Sequence, residues 1–253
     1  MCIQYVAFSF DKETTFLRAA SNLSGPHQHL ADTTRFIPYR MPRWTDLEQD
    51  CVNVLKEQLK DELAASPQYP EIVGERKMIR FLRGHNFDVN TVYTKMVNYL
   101  KWRVDNNVNE IRTNIVERGF DHPLKFPKGE LILSLIPQLI IVPNGTDKQG
   151  CPICVEQYNF TPSEVFKHIT IEDYIHFMMY SLEFRSLVVE QLSEQREQAF
   201  LAGLSEVERA ALDHPDSKPY GVITTTCVIR DLSKFCFAVL LLLVCNCWSL
   251  RGS

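Results

Sequence analysis

Two cysteines, Cys151 and Cys154, form a CxxC pair, a spacing that is common among cysteines that bind metal. Zinc, however, requires four ligands, which usually come from a second close pair. The next thiol along the chain is Cys227, and the histidines between do not supply a matching spacing. Because Pro152 lies inside the pair and the surrounding residues resemble a strand, we interpret these cysteines as packing residues and predict no metal site.

Residue types that act as nucleophiles and bases are present, but the patterns that activate them are not. The seven histidines are scattered. His176 lies in an apolar run, where a lone imidazole is more often a core or pocket residue than a catalyst. The chain contains no nucleophile elbow and no GxxxxGK or GxGxxG loop for phosphates. We therefore predict a protein that is not an enzyme and has no cofactor.

Charge and cysteine use narrow the class of protein further. A net charge of −4 argues against nucleic-acid binding. Residues 71–118 carry nine basic and six acidic side chains, whereas residues 147–216 carry five and thirteen. This asymmetry fits either two solvated surfaces or a basic lobe that contacts anionic lipid. The eight cysteines lack the dense spacing of secreted scaffolds, and no signal peptide is visible, so we expect a cytoplasmic protein.

Helical patterns dominate residues 44–118, after an irregular leader at 1–43. Thr45 and Glu48 have capping-box spacing, which predicts a helix start. Its predicted apolar stripe comprises Leu47, Val52, Leu55, Leu59 and Leu63. A second helix is predicted at about 71–83, and Asp88 is a suitable N-cap for a third. Helices this short need neighbours, so we expect them to pack as a small bundle.

Strand patterns appear after about residue 119. The predicted elements are, in order, strands at Leu139–Val142 and Ile153–Tyr158, a long helix at Ile171–Gln195, a short helix at Leu204–Leu212 and a strand at Gly221–Leu232. Helices that alternate with strands indicate an α/β fold with partly parallel pairing. Within the long helix, the apolar stretch Phe177–Leu182 is either plain core or the lining of a cavity for an apolar ligand.

Several segments, in order along the chain, resemble the CRAL-TRIO lipid-binding family. MIRFLRGHNFDVNTVYTKMVNYLKWR (Met78–Arg103) is similar to the family's helical lobe. DKQGCPICVEQY (Asp147–Tyr158) resembles its Asp-Lys-x-Gly-Arg-Pro strand, and TTTCVIRDLSK (Thr224–Lys234) resembles its Thr-x-Cys strand with the following turn. The resemblance covers about residues 44–234.

The resemblance implies a helical lobe at 44–118 beside an incomplete, mixed or parallel β-sheet lobe with covering helices at 119–234. In that lobe an apolar pocket would hold a phospholipid or similar ligand for transfer at a membrane surface, without catalysis. The residues expected to contact the lipid are Ile153, Val155, Phe177, Met178, Tyr180, Ile223, Thr225, Cys227 and Ile229. For the predicted strand Gly221–Leu232, the competing interpretation is that the face with Ile223, Thr225, Cys227 and Ile229 packs against covering helices.

The sequence also departs from the family. His85 and Asn86 replace a basic pair that many phosphoinositide-binding members carry, and Cys151 replaces an arginine. Residues 235–253 match none of the later part of the family. We therefore expect this chain to contain about half of the lipid lobe and to be impaired in lipid binding.

The apolar tail supports an alternative function. The segment Phe235–Cys245 carries no charge, yet the run to Leu250 is shorter than the roughly 20 apolar residues that span a bilayer. Residues 235–250 could still anchor an interaction or adaptor protein to a membrane, with acylation at Cys236, Cys245 and Cys247. The competing interpretation is a buried or aggregating segment.

Overall fold

A computed structural model describes residues 44–142, 145–148, 150–157, 160–212, 221 and 223–231. The described residues form two compact units. The helical unit contains residues 44–113 and those described within Ser186–Thr224, and the sheet unit contains residues 114–185 and 225–231. The predicted leader at 1–43 and the apolar tail at 235–253 lie outside the described residues.

The helical unit begins, in chain order, with five helices. They are α1 (Asp46–Gln58), α2 (Lys60–Ala65), α3 (Pro70–Val73), α4 (Glu75–Gly84) and α5 (Val89–Asp105). The predicted helix at 71–83 is thus two helices, separated by Gly74 in an extended conformation. A Cβ atom at Gly74 would lie 2.4 Å from the Pro70 carbonyl oxygen, so this break requires glycine.

The predicted helix starts are confirmed. The Thr45 hydroxyl accepts from the Glu48 N–H at 3.2 Å, and the Glu48 carboxylate accepts from the Thr45 N–H at 2.9 Å, which completes the capping box. The Asp88 carboxylate caps α5 by accepting from the Thr91 N–H at 3.1 Å. These bonds satisfy backbone donors that a helix leaves without an internal partner.

The predicted bundle of these helices is also confirmed, since α1, α4 and α5 contact one another. Their shared core contains Trp44, Cys51, Val52, Leu55, Leu59, Met78, Ile79, Leu82, Val92 and Met96. The predicted stripe of α1 is wrong at Leu47, which is 55% exposed. Leu47 precedes Val52 by five residues, which rotates it by about 140° away from the buried face.

Each remaining helix of the described chain either lies within one unit or spans both. They are α6 (Val108–Glu117), a 3₁₀ helix (Pro123–Lys125), α7 (Gly129–Leu135), α8 (Pro162–Val165), α9 (Ile171–Ala202) and α10 (Glu206–Leu212). The predicted long helix is confirmed as α9 and continues beyond residue 195. Its residues up to Arg185 belong to the sheet unit, and those from Ser186 belong to the helical unit.

A small mixed sheet defines the other unit. Its strands β1 (Gln138–Leu139), β2 (Ile153–Gln157) and β3 (Cys227–Asp231) lie in the order β1-β2-β3. β1 pairs with β2 in antiparallel fashion, and β2 pairs with β3 in parallel, as the alternating pattern predicts. The chain is therefore broadly α/β, with helices dominant.

Strand boundaries differ from the predictions. The predicted strand at 221–232 is too long at its N-terminal end, because β3 begins at Cys227. Upstream, the Thr224 N–H donates to the Ser193 hydroxyl at 3.0 Å and so does not pair with β2.

No helix of the described chain is long and apolar enough to cross a membrane.

Candidate functional site: an apolar sheet face

One face of the β2–β3 pair is apolar at its first two paired positions. Ile153 pairs with Cys227 and Val155 pairs with Ile229. Side chains alternate along a strand, and paired residues of neighbouring strands point to the same side. These side chains therefore share one face, where Val155 is buried and the others are half-buried. The predicted strand residues at these positions are thus brought together as a continuous apolar patch.

The opposite face of the same strands is polar. Arg185 of α9 donates through Nη1 to Glu156 Oε1 at 3.0 Å, and the same nitrogen lies 3.1 Å from Cys154 Sγ. Arg230 donates through Nε to Glu156 Oε2 at 3.0 Å. Gln138 of β1 pairs with Glu156 in the strand register. This layer, which is largely buried at Cys154, Glu156 and Arg185, connects α9 to the sheet by charge-assisted bonds.

Burial and pairing set the ionisation of this polar layer. Burial opposes ionisation of Glu156, but the hydrogen bonds and charges of Arg230 and Arg185 outweigh it and lower the pKa of this carboxyl. Burial raises the pKa of the Cys154 thiol to about 11. A thiol with this pKa stays protonated near neutral pH, so Cys154 is not a reactive thiolate.

The contact between Arg185 and Glu156 also orients α9. Met178 precedes Arg185 by seven residues and so shares its stripe on the helix. This stripe faces Cys154 and Glu156, which point away from Ile153 and Val155. Met178 of the predicted helix wall and the apolar strand face therefore lie on opposite sides of the sheet.

Phe177 and Tyr180 occupy an aromatic cluster centred on Phe126. The Phe126 ring lies 5.9 Å from Phe177, 5.1 Å from Tyr180 and 5.9 Å from Phe184, measured between ring centroids. The Tyr180 hydroxyl accepts from Asn114 Nδ2 at 2.8 Å. This geometry fits the core interpretation for Phe177 and Tyr180, whereas Leu182, at the end of the stretch, is exposed. Sequence reasoning missed Phe126, which lies in a Pro-rich segment with no helical or strand period.

Two predicted contact residues lie before β3. Ile223 is partly buried and packs against the core of the helical unit. Thr225 is exposed, with its hydroxyl 3.5 Å from Cys151 Sγ. The predicted contact residues thus lie in several separate places, and their role in lipid binding stays a prediction.

The two cysteines of the CxxC pair have different neighbours. Cys151 contacts Thr225, whereas Cys154 contacts Arg185, and both are free thiols. Within the described residues, no group of three or more His, Cys, Asp or Glu side chains is arranged to hold a metal ion.

The helical unit contains an ion-pair network that the sequence did not reveal. The Glu190 carboxylate accepts from Arg76 at 2.6 Å and from Arg80 at 3.2 Å. Arg80 also donates to the Thr224 carbonyl oxygen at 3.3 Å, and burial lowers the pKa of Arg80. Arg196 donates to the Thr224 hydroxyl at 3.1 Å. These contacts hold the fully buried Thr224 in place, which indicates a structural role.

Comparison with known proteins gives no assignment. No protein-family model matches the chain, and a search of curated proteins gives no match. The likeness to CRAL-TRIO proteins accordingly remains a prediction from sequence motifs.

Proposed function

We propose that this protein is a non-catalytic lipid-binding protein of the cytoplasm, acting at membrane surfaces, and that its ligand lies against the apolar sheet face. The observation that supports this proposal is the register of β2 and β3, which joins Ile153, Val155, Cys227 and Ile229 into one patch. The sequence resemblance to CRAL-TRIO proteins independently predicts a lipid against these strands.

The charge distribution fits a hydrocarbon ligand. The charged side chains Glu156 and Arg230 point to the other face of the strands and pair with each other there. A lipid tail lying against Ile153, Val155, Cys227 and Ile229 would therefore meet aliphatic carbon and a thiol. Each CH₂ group removed from water contributes about 0.8 kcal/mol, so a short stretch of acyl chain would supply useful affinity.

The apolar face differs from the predicted pocket in one respect. Phe177 and Tyr180 belong to the aromatic cluster and are better explained as core than as ligand contacts, and Met178 lies on the side of the sheet away from the apolar face. We therefore propose the strand residues alone as the lipid-contacting set.

The test compares two substitutions on one strand. Vesicles of phosphatidylcholine that contain self-quenched pyrene-labelled phosphatidylcholine are mixed with the full chain, and extraction of the probe is followed as a rise in monomer fluorescence. Ile229→Asn places a polar amide on the apolar face and should reduce extraction several-fold. Val228→Asn, one residue away, alters the other face and should leave extraction unchanged.

Circular dichroism provides the control for folding of both variants. Two results would contradict the proposal: a folded wild-type chain that extracts no probe, or equal losses in the two variants. Equal losses would indicate general damage to the sheet and no specific contact with lipid.

A further inference from the structure

His122 holds a tight turn in the sheet unit. Its Nδ1 atom accepts from the Leu124 N–H at 3.2 Å and so caps the 3₁₀ helix Pro123–Lys125. The His122 carbonyl oxygen accepts from the Lys125 N–H at 2.8 Å. The turn ends at Phe126, which is 2% exposed at the centre of the aromatic cluster. The position of Phe126 therefore depends on a turn that an imidazole caps.

The cap requires a neutral ring. Nδ1 can accept a hydrogen bond only while it carries no proton. The other nitrogen, Nε2, is buried and has no hydrogen-bond partner in the described chain. An imidazolium at this place would lose the bond from Leu124 and gain no compensating acceptor, which is costly for a buried polar group.

The surrounding charges favour the same neutral form. Burial, and then the positive charge of Lys125, lower the pKa of His122, and they outweigh the opposite effect of Asp121. Lys125 and Asp121 pair with each other at 2.7 Å. On α7, which packs against the 3₁₀ helix, the acidic group is the exposed Glu130. Lys128, just before α7, pairs with Asp173 at 2.6 Å.

We propose that His122 is a pH-sensitive latch, which on protonation releases the Leu124 N–H, loosens the turn and frees Phe126 from the aromatic cluster. The midpoint of this change should lie below about 6.5, the ordinary value for histidine. Acidic conditions would thus loosen one segment of the sheet unit, independently of the proposed lipid binding.

Hydrogen–deuterium exchange of the full chain at pH 7.5 and pH 5.0, corrected for intrinsic rates and resolved to peptides, tests the latch. Peptides that cover the Leu124 and Phe126 amides should exchange about tenfold faster at the lower pH, the change expected for loss of one hydrogen bond. Peptides from α5 provide an internal reference in the helical unit.

His122→Asn is the decisive variant, because asparagine retains a capping acceptor but does not titrate. Its exchange in this segment should be independent of pH. His168→Asn, which changes an exposed histidine of the same unit, should keep the wild-type response.

Two results would overturn the proposal: a wild-type segment equally protected at both pH values, or an acid response that persists in His122→Asn. If His122→Asn fails to fold, an NMR titration of the wild-type Leu124 amide decides. Its chemical shift must then change with the same midpoint as the His122 ring, and a shift that does not would equally contradict the latch.

Discussion

Arg185 Nη1 lies 3.0 Å from Glu156 Oε1, so one ion pair joins α9 to the central strand of the sheet. Both side chains are largely buried, with 11% and 7% of their surface exposed. The pair fixes which side of the sheet the helix covers. By alternation along β2, it leaves Ile153 and Val155 on the side that we propose for the ligand.

Removing Arg185 should strongly destabilise the protein. Arg185→Met leaves the buried Glu156 carboxylate with one of its arginine partners missing, and breaking such a pair costs about 3 kcal/mol. Urea denaturation followed by circular dichroism measures the loss. The double variant Arg185→Met with Glu156→Leu should recover most of the stability, because it removes the buried charge as well. No recovery would show that Arg185 acts through packing alone.

Stability should also fall in acid because of Glu156. The pKa of Glu156 is lower in the folded chain than its ordinary value of 4.5. The unfolded state therefore binds the proton more readily, so the contribution of this group is present above about pH 4.5 and is lost as the pH falls. In Glu156→Gln, the free energy of unfolding should depend less steeply on pH between about 6 and 3 than in the wild type. Identical slopes would contradict the assignment.

Loss of the capping box of α1 should lower the stability of the protein by a smaller amount. Thr45→Ala removes the acceptor of the Glu48 N–H and should cost about 1 kcal/mol in the free energy of unfolding. Thr45→Ser keeps a hydroxyl and should cost much less. Chemical denaturation of the three proteins decides, and equal losses in Ala and Ser would argue that the Thr45 methyl group matters more than the hydrogen bond.

The features that could be predicted are those with a local signal. A capping oxygen at Thr45 or Asp88 bonds to an N–H three residues away, so the spacing alone identifies it. The parallel pairing of β2 and β3 followed from strands separated by a long helix, because a crossover of this length is how parallel neighbours are joined.

The candidate site could be predicted only in part, for physical reasons. The alternation of side chains along a strand assigned Cys227 and Ile229 to one face. Ile223 does not lie on that face, because the chain upstream of β3 forms hydrogen bonds with Ser193 and Arg80 and does not pair with β2. The orientation of α9 depends on the contact between Arg185 and Glu156, which are 29 residues apart. No periodicity in a single segment encodes such a contact.

Ser193 should contribute more to stability than Ser181, although the two are closely matched. Both are fully buried on α9, and each hydroxyl donates to the carbonyl oxygen four residues earlier, at 2.8 Å and 2.9 Å. Ser193 alone also accepts from the Thr224 N–H, at 3.0 Å. Ser193→Ala would leave this buried donor unsatisfied, at a cost of about 1–3 kcal/mol.

Ser181→Ala is the matched control for that measurement. It removes only a hydroxyl bond to a helix carbonyl, so it should cost well under 1 kcal/mol, in line with the slight effect of such bonds on a helix. Urea denaturation of both variants gives the difference. Equal costs would mean that the Thr224 N–H finds another acceptor, and that the bond to Ser193 does not hold the segment before β3 in place.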